Sequence, residues 1–265
     1  MARFEEIEIV RWEKGDTSRI RDEVVVESSL DLIVNNRNLV TLFCSPENQR
    51  ALSVGYLRSE GLIEGMEVVS EVNYDPEEKL VEVKVVADGI DLETYFKKKR
   101  ALTSSCGGAK SIIGKLRDLE LEKTETGFFP ETSQLIELMK EIQKRAKLFR
   151  RTGGSHTAAL AGPEGIDYLA EDIGRHNAVD KVIGQSVMDN RDPEELILLT
   201  SGRLSLEMAL KAIRSSISTV VSRSAPTTLA VRMGRTAGLA IVGFVRGGRL
   251  SVYSGEGRLE GLNRD

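Results

Sequence analysis

The chain has 265 residues, 40% of them hydrophobic and 29% charged, which suits one large domain or two ordinary ones around a buried core. A formal net charge of −4 argues against non-specific nucleic-acid binding, and two cysteines far apart make no disulfide framework. The start, Met1-Ala2-Arg3-Phe4-Glu5-Glu6, lacks a basic-then-apolar signal pattern, and no apolar run approaches the ~20 residues of a membrane span, so a cytoplasmic protein with reduced thiols is expected.

In chain order, residues 7–12 and 22–27 read as strands from their β-branched runs. Leu30–Val34 and Leu39–Phe43 flank Asn35-Asn36-Arg37, which predicts a hairpin whose asparagines take positive φ. Ser45-Pro46-Glu47 predicts a helix start, with serine capping the first amides and proline in the first turn. Ala51, Leu52, Val54, Tyr56 and Leu57 give that helix its apolar side, and Gly61 ends it. A second hairpin turns at Asp75-Pro76-Glu77-Glu78 into the alternating strand Leu80–Val85. In this small α+β unit, only Cys44 carries a group of catalytic interest.

Thr103-Ser104-Ser105-Cys106-Gly107-Gly108-Ala109-Lys110 is a small-residue loop with one thiol at its centre. Ile112, Ile113, Leu116 and Leu119 predict an amphipathic helix just after it, which places Cys106 where a helix dipole and nearby lysines lower a thiol's pKa. Lys123–Glu131 reads as a linker, and Thr132 or Ser133 as the cap of one long helix to about Phe149. Five cations, Lys144, Arg145, Lys147, Arg150 and Arg151, crowd its end, either as a solvated face or as part of an anion site.

From there short β runs alternate with helical segments, the pattern of a layered α/β sheet. The expected division is an N-terminal α+β domain over 1–125, ending in the cysteine loop, and a second domain over 126–265. Polar turns at the strand ends, Gly153-Gly154-Ser155-His156, Gly174-Arg175-His176, Ser201-Gly202-Arg203 and Arg246-Gly247-Gly248-Arg249, lie where such sheets hold ligands. Arg175, Arg203, Arg246 and Arg249 are therefore candidate anion contacts, assisted by Lys181 or Lys211. His156 and His176 are candidates for hydrogen bonding or proton transfer, and Asp180 for orienting His176 or Lys181.

Cys44, Cys106, His156 and His176 are scattered singly, so neither a structural zinc site nor a zinc deaminase signature is present. No Gly-x-Gly-x-x-Gly turn or Walker loop appears, which argues against a dehydrogenase or an ordinary NTPase. A cysteine hydrolase would need a rigid oxyanion hole, ill-suited to so glycine-rich a loop. A thiol that carries a group to an anionic ligand fits better.

Ser104-Ser105-Cys106-Gly107, Gly153–Leu160, the run Glu171-Asp172-Ile173-Gly174-Arg175-His176-Asn177-Ala178-Val179-Asp180-Lys181, Ser201-Gly202-Arg203, Ser224-Ala225-Pro226-Thr227 and Gly243-Phe244-Val245-Arg246 resemble the FdhD family, the formate dehydrogenase accessory sulfurtransferases. The resemblance runs from about Asp31 to Tyr253. It implies a small N-terminal domain joined to a cytidine-deaminase-like α/β domain without a zinc site or any structural metal, in a homodimer. It implies that Cys106 carries persulfide sulfur from a cysteine desulfurase to the bis-molybdopterin guanine dinucleotide cofactor of molybdenum or tungsten, for the formate dehydrogenase catalytic subunit. The segment Phe244, Val245, Arg246, Gly247, Gly248, Arg249 matches the family's cofactor-binding stretch, a site that would also accept a GDP-like nucleotide. The family loop reads Ser-Cys-Gly-x-Cys-Gly, and here the second cysteine is missing. Either Cys106 suffices, or Cys44 or a partner's thiol helps, or the chain is a cofactor-binding chaperone that no longer transfers sulfur.

Overall fold

Asn35 and Asn36 take φ values of 46° and 64°, the left-handed geometry a two-residue hairpin turn needs, between β3 (Ser28–Val34) and β4 (Arg37–Cys44). The computed structural model of the chain describes residues 2–86, 95, 128–191 and 193–262. Cys106, its loop, the helix expected after it and most of the expected linker lie outside the described residues.

β1 (Phe4–Glu13) and β2 (Asp16–Val25) form a separate antiparallel pair. β5 (Val69–Asp75) and β6 (Leu80–Val85) complete a four-stranded sheet in the order β4-β3-β6-β5. Asp75 holds the expected turn by accepting the amides of Glu77 and Glu78 at 2.9 and 3.1 Å. A six-stranded sheet has the order β12-β11-β10-β9-β7-β8. Its members are β7 (His156–Gly162), β8 (Gly165–Asp172), β9 (Ile197–Thr200), β10 (Thr219–Ser222), β11 (Ala240–Arg246) and β12 (Arg249–Ser254). β9, β10 and β11 run parallel, while β7, β8 and β12 pair antiparallel with their neighbours.

Six helices pack on these sheets among the described residues: α1 (Gln49–Ser59), α2 (Thr132–Arg145), α3 (Lys147–Thr152), α4 (Arg175–Met188), α5 (Leu206–Arg214) and α6 (Thr228–Ala237). α2 closes one face of the large sheet with Leu135, Leu138, Met139 and Ile142. On the other face one continuous cluster joins Leu30, Leu52 and Leu57 to Val179, Ile183 and Met208. α1 and α4 cross so closely that Cβ atoms built on Gly55 and Gly184 would lie 1.7 and 1.8 Å from carbonyl oxygens of the facing helix.

Two helix starts differ from expectation. α1 begins at Gln49 behind a left-handed Asn48, because Ser45 is used elsewhere. Its amide donates to Asp172 Oδ2 at 3.0 Å, its hydroxyl accepts the Ile173 amide, and its carbonyl accepts Lys181. Neither Thr132 nor Ser133 caps α2: the cap position is Glu131, without a side-chain bond. The long helix also breaks at Ala146 (ψ 74°), where the Glu171 carboxylate receives the Leu148 and Phe149 amides, both at 2.8 Å. A buried acid supplies a new cap and restarts the helix.

Candidate functional site

The strand directions bring the expected turns to one edge of the large sheet. Ser201-Gly202-Arg203, Arg223 and Phe244–Arg246 follow or end the parallel strands β9, β10 and β11. β7 runs antiparallel to β9 and β8 to β7, so His156 at the start of β7 and Asp172 at the end of β8 pair at the same edge. Arg175 and His176 then open α4, whose first turn no side chain caps. Carboxyl ends of parallel strands, uncapped helix amides and arginines together make an anion-accepting rim.

At its centre Ser201 Oγ accepts the Thr157 amide at 3.0 Å and lies 3.4 Å from His156 Nδ1. The Arg175 side chain lies across Gly202, where a Cβ would come within 2.9 Å of it. Arg175 Nε is buried with no hydrogen-bond partner among the described residues. Burial first, then the Arg175 charge, depresses the His156 pKa. Burial, then Arg175 and Lys211, pushes His176 down to about 4, so both rings are neutral at neutral pH. Glu207 Oε2 lies 3.4 Å from His176 Nε2, outside hydrogen-bond geometry.

Because the folded His176 pKa is below its unfolded value near 6.5, the unfolded chain binds more protons between those values. Stability from this group is full above pH ~6.5 and is lost as pH falls toward 4, on the order of 3 kcal/mol. Urea unfolding at pH 7.5 and at pH 5 should show the loss, and His176→Gln should flatten that slope. An unchanged slope would contradict the burial assigned to this ring.

The stretch expected from sequence to bind the cofactor, Phe244–Arg249, has its own geometry. Phe244 holds a positive φ of 54° at a register shift between β11 and β12. For a bulky residue that is backbone strain, the kind held where a site needs it. Gly247 and Gly248, with φ of 60° and 75°, reverse the chain so that the exposed Arg246 and Arg249 stand directly opposite each other. Like charges so placed repel, and an anion between them removes the penalty. Arg246 also stacks over Phe244, 5.4 Å from its centroid. Val245 faces the core with no exposed surface.

Below the rim a cleft of about 540 Å³ is walled by Phe149, Arg150, Gly153–His156, Ser201 and Arg223. Phe149 is a wall residue that the sequence does not point to, whereas Arg150 and Arg223 belong to the arginines offered as an anion site. Their signal is the Ser-Arg-Ser step after β10 and the basic end of the long helix.

Arg203 is exposed beside the cleft, but Lys181 is not at the rim: it is fully buried, 2.6 Å from Asp172 Oδ2 and within reach of the Ser45 carbonyl. Asp180 orients neither His176 nor Lys181. Its carboxylate binds Lys211, both oxygens at 2.9 Å, and accepts Ser59 Oγ at 2.7 Å. Lys211 is therefore taken up inside the protein as well. Cys44 is fully buried against Gln49, and burial pushes its thiol up to about 11, which makes it a poor redox partner. Among the described residues no group of three or more His, Cys, Asp or Glu side chains is placed to hold a metal, and no helix is long and apolar enough to cross a membrane.

A sulfur carrier protein FdhD from Listeria monocytogenes is 36% identical over 254 residues, covering 95% of this chain and 97% of that protein. One of the same name from Bacillus subtilis is 35% identical, covering 93% and 94%. The crystal structure of a Desulfotalea psychrophila protein described as a formate dehydrogenase accessory protein superposes with a TM-score of 0.79 at 21% identity, covering 97% of this chain and all of that one. The FdhD/NarQ family model matches residues 25–260, from the last residue of β2 to just past the final core leucine, and the chain belongs to the FdhD/NarQ family.

Proposed function

We propose that this protein is a sulfur carrier in formate dehydrogenase maturation, with Cys106 as the carrying thiol and the arginine-lined rim of the large sheet as the place where the acceptor cofactor rests. Its relatives are named sulfur carriers over nearly their whole length. The observation that carries the ligand half is the convergence of Arg175, Arg203, Arg223, Arg246 and Arg249 on one sheet edge, with two of them paired like-to-like across a turn. A nucleotide-bearing pterin cofactor of molybdenum or tungsten supplies phosphates for that edge, and charge-assisted hydrogen bonds of about 1.5–3 kcal/mol each hold it.

In the transfer, the Cys106 thiolate attacks the outer sulfur of a cysteine desulfurase persulfide. The donor's S–S bond breaks, the donor leaves as a thiolate, and Cys106 holds the persulfide until the cofactor takes the sulfur. The rim supplies binding and orientation, and the neutral His156 ring supplies a hydrogen-bond partner. Cys44 is too buried to resolve the persulfide into an internal disulfide, so the carrier acts as a single thiol. The reading has the protein in the cytoplasm as a homodimer, meeting the desulfurase and the dehydrogenase's catalytic subunit in turn.

Reduced protein incubated with a cysteine desulfurase and cysteine should gain one sulfur by intact mass, roughly 32 Da. The adduct should map to Cys106 and vanish in Cys106→Ser. Labelling that persists in Cys106→Ser would move the carrying thiol to Cys44, and none where a two-cysteine relative is labelled would leave the chaperone reading that the missing second loop cysteine keeps open.

A further inference from the structure

Glu171 was read only as part of the long motif, yet its carboxylate is the joint on which the cleft is hung. The side chain is 3% exposed. Its Oε2 accepts the Leu148 amide at 2.8 Å and faces Arg3 Nη2 at 3.4 Å, and its Oε1 accepts the Phe149 amide at 2.8 Å and Ser155 Oγ at 3.2 Å. Those donors come from three separate parts of the chain. Arg3 precedes β1 and also pairs with Glu47 at 2.8 Å. Leu148 and Phe149 begin α3, and Ser155 stands one residue before His156.

α3 has six residues, far below the length at which a helix holds itself in water, so its placement rests on its cap and on Arg151, which pairs with Glu23 of β2 and lies over the Phe4 ring. It carries Phe149 and Arg150 into one wall of the cleft, and the loop Gly153–His156 forms the next wall. That loop leaves α3 through Gly153, at a positive φ of 68°, and passes Gly154 so closely over Val25 that a Cβ would come within 2.6 Å. Backbone contacts join the two walls where they meet, Gly153 N–H to the Phe149 carbonyl at 2.7 Å and Gly154 N–H to Thr152 Oγ1 at 3.2 Å, while among the described residues the Glu171 carboxylate alone binds the start of α3 and the far end of the loop at Ser155.

We infer that Glu171 is a positioning residue for the acceptor site, setting α3 and the His156 loop at the separation an anionic, ring-bearing ligand requires. For its ligand this rests on the function proposed above. Phe149 offers a half-exposed aromatic face, and Arg150 and Arg223 offer charge in the same cleft. The ligand class that uses all three is a nucleotide, its base on the ring and its phosphates on the arginines.

The test uses the full chain, GDP as probe, and the imidazole resonances of His156 and His176, the chain's only histidines, assigned with His176→Gln. Glu171→Gln replaces an acceptor oxygen by an amide that must face N–H donors. It should weaken GDP binding at least tenfold, shift the His156 resonance, and speed amide exchange at Leu148 and Phe149 at least tenfold. Ser186→Ala, which removes a buried hydroxyl bond to the Arg191 carbonyl at the far end of α4, should lower the melting temperature with none of these changes. Should Glu171→Gln fail to fold, Ser155→Ala removes a single bond and should shift His156 and weaken GDP severalfold. Wild-type affinity and an unmoved His156 resonance in the variant would overturn the inference. If wild-type protein binds no GDP, the nucleotide reading of the rim falls, and the His156 and amide-exchange results alone decide whether Glu171 positions the cleft.

Discussion

Gly184→Val should give protein that does not reach the native state, and Gly184→Ala should lower the unfolding free energy by about 3 kcal/mol or more, the upper end of the overpacking range. Helix propensity predicts the reverse, since glycine inside a helix costs roughly 0.5–1 kcal/mol relative to alanine. The crossing decides the sign. A Cβ on Gly184 would lie 1.8 Å from the Ala51 carbonyl oxygen and 2.7 Å from the Gly55 amide nitrogen. These are backbone atoms of a packed helix and cannot rotate away as a side-chain end would. α1 and α4 would have to separate, opening the cluster that joins Leu52 and Leu57 to Val179 and Ile183. Gly257→Ala is the control, because no described residue lies within 4 Å of a Cβ there, and its effect should stay within about 0.5 kcal/mol. Urea midpoints for the three variants test this directly. Gly184→Ala as stable as wild type would mean that the helices do not cross this closely.

Local signals and long-range contacts divide this fold along physical lines. The hairpin at Asn35-Asn36, the turn at Asp75 and the strands of the large sheet rest on local signals: positive-φ residues, short polar breaks and short apolar runs. Those signals survive folding because the structure uses the same residues in the same local way. The rim was legible for a related reason, since turns after parallel strands reach the same edge whatever packs beneath them. Local rules failed where a distant group claims the residue. Ser45 would cap α1 in isolation, but Asp172, Ile173 and Lys181 engage it from far along the chain. The unbroken helix to Phe149 fails at Ala146 because Glu171, on β8, supplies a cap that sequence spacing does not reveal. Asp180 has Lys181 beside it in sequence, yet on a helix successive side chains diverge, so it pairs with Lys211 on α5 instead. Gly55 and Gly184 did carry a readable signal, as glycines in the middle of predicted helices, and it went unused.

Lys181→Met should destabilise the ligand-free protein by about 3–5 kcal/mol, as removal of one partner of a buried ion pair does. Lys181 and Asp172 both have fully buried side chains, with Nζ 2.6 Å from Oδ2. The lysine also reaches the Ser45 carbonyl at 3.2 Å, and Asp172 accepts the amides of Ser45 and Gly174 and the side chain of Asn177. The pair therefore fastens the segment between β4 and α1 to the end of β8 and the start of α4, directly under the rim. Methionine fills the space of the lysine stem but leaves the Asp172 charge buried and one ligand short. Asp172→Asn in the same chain removes that charge, so the double variant should recover at least about 1 kcal/mol relative to additivity. A ligand-contacting lysine behaves otherwise: its loss would weaken GDP binding while the ligand-free melting temperature stayed near wild type. The two outcomes are opposite in a single pair of measurements. The buried distances select the first: Lys181 supports the chain beneath the rim, while Arg175, about one and two-thirds turns earlier on the same helix, lies at the rim against Gly202.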